Sequence, residues 1–163
     1  MKILSMKTTI FLGAMLSLLV CLMFTGCSNS ETNSTSRGLT DFEHIEEEYL
    51  ATIDSLNWPD GITLPDKLED EDTGASFQVG YGETRASYLW EYSWMKEWLD
   101  TYNTDPERAE KALEELEKAF DMPYMGIDRC DDATRNYLRE NIDKAKLGDP
   151  SGFTESIRAN YAN

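Results

Sequence analysis

The chain has 163 residues, with 15 Lys and Arg against 31 Asp and Glu, a formal net charge of −16 and a single histidine. So negative a surface is repelled by nucleic acid and by anionic lipid headgroups, which excludes a nucleic-acid partner. The length fits one domain after any processing, and one histidine excludes a multi-histidine metal site.

The first nine residues carry Lys2 and Lys7 and no acid, and Ile10 to Phe24 is an uncharged, mostly apolar run. A basic start, an apolar middle and an exit of small residues form the pattern of a secretory signal peptide. The exit reads Phe24-Thr25-Gly26-Cys27-Ser28. It resembles the lipobox of bacterial lipoproteins: Thr25, Gly26 and Cys27 match, and Phe24 stands where that family usually has Leu. The resemblance implies a signal peptide over residues 1–26, cleavage before Cys27 and a diacylglyceryl thioether on Cys27. The implied location is the outer face of the bacterial cytoplasmic membrane, or the outer membrane of a Gram-negative cell. Two or more acyl chains on one residue make a stable anchor. Two alternatives stay open: an uncleaved spanning helix over the 19 uncharged residues Thr8 to Gly26, and cleavage without lipid.

Of the three cysteines, Cys21 leaves with the leader and Cys27 takes the lipid, so Cys130 stands alone. A Cys27–Cys130 disulfide becomes available only if Cys27 is not lipidated. The leader holds two lysines and no acid, so its removal leaves a net charge of −18. Ser28 to Gly38 reads SNSETNSTSRG and contains no apolar residue. Residues 27–38 are thus a lipidated cysteine and a flexible tether, with a reach of about 17–20 Å. Residues 39–163 form an acidic helical domain.

Thr40 and Glu43 have the spacing of a capping box, and Phe42, Ile45, Tyr49, Ile53 and Leu56 follow at helical spacing. Trp58-Pro59-Asp60-Gly61 ends that helix in a turn. Residues 62–81 are irregular and acidic, with Ile62-Thr63-Leu64 and Phe77-Gln78-Val79 as candidate short strands. A second helix is expected from Glu83 to Tyr102. A third opens at Thr104-Asp105-Pro106-Glu107, with a cap and a proline in its first turn, and presents Ala109, Ala112, Leu113, Leu116, Ala119 and Phe120. Met122-Pro123-Tyr124-Met125-Gly126 breaks it. A fourth runs from Asp132 to Leu147 and stops at Gly148. A short last helix follows Asp149-Pro150, with Phe153, Ile157 and Tyr161 four residues apart. The expected fold is all-α: a small bundle of about five helices with one long acidic loop and a minor two-stranded element. Trp58-Pro59-Asp60-Gly61, Leu64-Pro65 and the Trp-rich helix after Val79-Gly80 resemble small uncharacterised exported proteins of Gram-positive bacteria, a resemblance that implies no activity.

The second helix carries the most information. On a helical wheel Trp90, Trp94, Trp98, Tyr102, Met95, Tyr88, Leu99 and Tyr92 cover an arc of about 200°, twice the usual apolar stripe. Arg85, Ser93, Lys96, Glu97 and Asp100 fill the remainder. Such a helix is central to a core, or else some rings line a groove for a peptide, glycan or protein partner. Glu91 falls inside the arc, between Trp98 and Tyr102, where a carboxylate is paired, neutral or open to a groove. Glu91, Trp90, Trp94 and Trp98 are therefore the ligand-binding candidates.

Other constellations are weaker. Asp70, Asp72 and Gly74 echo part of a calcium loop but lack its further ligands and closing Glu. Asp131 and Asp132, near Asp128, suit a helix N-terminus. A Cys130–His44 nucleophilic pair has no local support, and no phosphate loop, nucleophile elbow or H-E-x-x-H helix is present. No cofactor is expected. The leading expectation is a lipid-anchored extracytoplasmic binding module for an envelope protein, peptide or glycan. The alternatives are a carboxylate-dependent envelope hydrolase with Glu91 as its acid, or a structural assembly subunit.

Overall fold

A computed structural model describes residues 38–69 and 71–161. The leader, Cys27, the tether up to residue 37, and Asp70 of the calcium-like loop lie outside the described residues. The elements in order are β1 (Leu39–Thr40), α1 (Phe42–Ser55), β2 (Phe77–Gln78), α2 (Tyr81–Thr101), α3 (Pro106–Glu117), two 3₁₀ turns (Lys118–Asp121 and Pro123–Met125), α4 (Asp132–Lys146) and α5 (Ser151–Asn160). This is the all-α bundle with one minor antiparallel pair, Leu39 opposite Gln78 and Thr40 opposite Phe77.

Two local expectations are corrected. The cap of α1 is Asp41, whose side chain accepts from the His44 amide at 3.1 Å, and not Thr40. Thr40 is held in the strand pair, so its backbone cannot also enter the helix. Of the two candidate strands, Phe77-Gln78 forms one, against Leu39-Thr40, and Ile62-Thr63-Leu64 lies in coil. Caps elsewhere follow local chemistry: Asp105 accepts from the Arg108 amide and Asp131 from the Thr134 amide, each opening its helix. Gly148, at φ +79°, ends α4.

Helix α2 is the axis of the bundle. One side packs on α1 through Ala86, Ile45, Tyr49 and Ile53. The other carries Trp90, Trp94, Met95 and Trp98 against α3, Tyr124, α4 and Phe153 of α5. Trp58 packs against both apolar clusters and joins them. The α1–α2 crossing is close because Gly82 has no side chain: a Cβ there would lie 1.8 Å from the Ile45 carbonyl oxygen.

Ser93, placed on the polar side by the wheel, is buried. Its hydroxyl donates to the Leu89 carbonyl at 2.7 Å, as Ser87 donates to Glu83 and Thr101 to Glu97. A hydroxyl that bonds its own helix leaves no polar group unsatisfied and can be buried like an alanine. Both apolar clusters belong to the described residues, which lie in one compact unit.

Candidate functional site

The carboxylate of Glu91 is where α2 meets the second 3₁₀ turn. The Met122-Pro123 break ends the helical run after α3 and turns Tyr124 inward, 2% exposed. Its hydroxyl donates to Glu91 Oε2 at 2.8 Å, the hydrogen bond that holds Glu91 among the described residues. Glu91 is 8% exposed. That residual exposure opens onto a cavity of about 370 Å³, with Tyr88 and Arg85 of α2, Tyr137 of α4, Ser156 of α5 and Tyr161 around it.

Burial pushes the Glu91 carboxyl up to about 7, and the Tyr124 hydrogen bond opposes that rise. Tyr124 is pushed far above the usual phenol range by burial and by the carboxylate beside it. Tyr88 and Tyr161 are raised for the same reasons. The ring of Tyr88 meets Tyr124 edge-on at 5.7 Å, and Tyr161 packs against Tyr92 at 4.9 Å. The Tyr161 hydroxyl donates to the Tyr88 carbonyl at 3.3 Å, which ties the end of α5 back to α2.

A second cavity, of about 270 Å³, adjoins the first and shares Arg85, Tyr88 and Tyr161 with it. It reaches Lys67 and Glu69 in the long acidic loop. That loop is held by specific bonds. The Leu68 amide donates to Glu46, Tyr81 donates to Glu71 at 2.7 Å, and Arg85 pairs with Glu71 at 3.4 Å. Arg85 thus lines both cavities, Glu91 lines only the first, and Lys67 and Glu69, paired at 3.0 Å, line only the second.

The three candidate tryptophans lie deeper than Glu91. Trp90 and Trp94 are each 1% exposed, line neither cavity, and both donate their indole N–H to the Asn57 carbonyl, at 2.8 and 3.1 Å. Two rings one turn apart on one carbonyl pin the Asn57-Trp58 loop to α2. Trp98 stacks on Tyr102 at 4.6 Å and meets Phe153 edge-on; its 2% exposure faces a separate groove. The rings form the core that positions Glu91, and they do not gather around it.

The tyrosines at the cavity were not singled out by sequence. Tyr124 sat in a helix break, and Tyr161 continued a series that read as core. Nothing local marks either as a neighbour of Glu91, 33 and 70 positions earlier. His44 is exposed and lies beside Glu48, on the first helix, and Cys130 packs on Met125 with its thiol raised by burial. Asp72 accepts from the Gly74 amide as a local turn. Among the described residues no group of three His, Cys, Asp or Glu is arranged to hold a metal ion, and no helix is long and apolar enough to cross a membrane. The chain matches no protein-family model, no curated protein and no solved structure.

Proposed function

We propose that the protein is a lipid-anchored extracytoplasmic binding protein whose ligand presents an amino group to Glu91. The observation that carries this is a nearly buried carboxylate with one oxygen engaged by Tyr124, standing at an open cavity beside tyrosine rings. A carboxylate supplies the counter-charge for an ammonium group, and tyrosine faces attract the same cation. The overall charge of −16 draws cations toward the surface. An amine of an envelope peptide is the fitting class of ligand. The hydrolase alternative has less support, because the described residues around the Glu91 cavity include no second carboxylate to act as base or nucleophile.

The test uses the purified protein, with a lysine-containing dipeptide and its fully N-acetylated form as probes. The free amine is expected to raise the melting temperature and the acetylated form to leave it unchanged. Affinity should fall about tenfold from pH 8 to pH 6, because an ammonium group binds only the ionised Glu91. Equal effects from both forms, or an undiminished effect on Glu91→Gln, would rule the site out. Anchoring is tested separately in cells: Cys27→Ser should shift the protein out of the acylated membrane fraction, and an unmodified thiol at Cys27 in the native protein would remove the anchor from the proposal.

A further inference from the structure

A cavity of about 480 Å³ lies away from Glu91, between α3 and the C-terminal ends of α2 and α4. Its floor is apolar: the stacked pair Trp98 and Tyr102, with Leu113 and Ala145. Its rim is acidic. Glu110, Glu114 and Glu117 stand at i, i+4 and i+7 on α3, so they form one row along the groove. Lys146 of α4 pairs with Glu117 at one end. Glu110 and Glu114 are exposed and carry no ion pair among the described residues. Leu147, 87% exposed, extends the apolar surface beyond the groove.

We infer that this groove docks a basic amphipathic segment of a partner protein, seating an apolar side chain on Leu113 and Tyr102 and pairing lysines or arginines one turn apart with Glu110 and Glu114. Charge complementarity selects this occupant. A second copy of the chain carries the same −16 and is repelled. An acidic peptide meets the same repulsion, and an uncharged apolar segment leaves the two rim carboxylates without partners. Two carboxylates spaced one helical turn apart match cations at the same spacing on a docked helix, the groove mode of helix recognition. This inference is independent of the Glu91 cavity, with which the groove shares no lining residue.

The probe is a 14-residue leucine–lysine peptide with helical amphipathic spacing, titrated into the purified protein at about 0.15 M salt. The control is the same composition with its helical pattern scrambled. Amide chemical shifts should move in α3 and the end of α4, and the scrambled peptide should bind at least about fivefold more weakly. Glu110→Gln with Glu114→Gln should weaken binding about fivefold. Glu43→Gln with Glu47→Gln, on the exposed side of α1, should change it less than about twofold. Both double variants keep buried positions intact. Equal weakening by the two pairs, shifts centred elsewhere, or equal binding of the scrambled peptide would each overturn the inference, since the attraction would then belong to the general field of the molecule.

Discussion

Glu91 occupies a position that a carboxylate tolerates best when neutral. Its folded-state value of about 7 lies above the ordinary 4.5, so the native protein holds the proton more tightly than the unfolded chain does. Below about pH 4.5 both states are protonated and the group has no effect. Between 4.5 and 7 the unfolded chain ionises first, and native stability falls as pH rises. At about 1.4 kcal/mol per unit, the loss is on the order of 3 kcal/mol above pH 7. Glu91→Gln keeps an oxygen for the Tyr124 hydroxyl and removes the titration. Thermal melts should show this variant several degrees more stable than the parent at pH 8 and nearly equal at pH 4.5. An equal offset at both values would mean the carboxyl does not titrate as its burial requires. The arc on the wheel already marked Glu91 as anomalous. Tyr124 was not legible, because what aims it at Glu91 is the packing of a turn against α2.

At the scale of elements, α2 begins with a cap taken from another helix. The carboxylate of Glu48, on α1, accepts from the Gly80 amide at 2.7 Å and from the Gly82 amide at 3.2 Å. A negative charge at a helix N-terminus satisfies amides that have no partner within the helix and complements its dipole. This is why α2 starts at Tyr81 and not at Glu83: Gly80 has no side chain to cap the helix, and the cap comes from Glu48 instead. Glu48→Ala should lower stability by about 1–2 kcal/mol, while the exposed neighbour Glu47→Ala should change it by less than about 0.5 kcal/mol. Urea unfolding of both variants separates the cap from a general charge effect. The same crossing predicts a larger effect at Gly82. A methyl group there meets the α1 backbone and not a movable side chain, so Gly82→Ala should destabilise by about 3 kcal/mol or more. A denaturant midpoint near that of the parent would show that α1 and α2 can separate at no cost. Helices α4 and α5 lay within a residue or two of their expected bounds, while α3 ends at Glu117 and the expected continuation through Ala119 and Phe120 is a 3₁₀ turn. Their periodicity, and the caps of α3 and α4, are contained in each segment, whereas the paired residues of β1 and β2 lie 37 and 39 positions apart.

For the whole molecule, charge works against compactness and for recognition. Thirty-one acids against fifteen bases repel one another more strongly in the folded state than in the expanded chain. Adding salt should therefore stabilise the domain: from about 0.01 to 0.5 M sodium chloride the Debye length falls from about 30 Å to below 8 Å, and the melting temperature should rise. A flat or falling profile would mean that ion pairs such as Arg108 with Glu97 outweigh the repulsion. The same field supports both binding proposals, each of which assigns a cation to the surface.

Sequence alone determined what depends on composition and on neighbours three or four residues apart: the acidity, the helical periodicity, and the caps of α3 and α4. Tertiary structure decided what depends on distant partners. It set three tryptophans in the core, left Glu91 at the edge of a cavity with Tyr124, and gave α2 its cap from Glu48. A wheel reports which side of a helix is apolar. Whether that side is sealed or open is decided by the volume its neighbours fill, and those neighbours are brought there by chain closure across the whole domain.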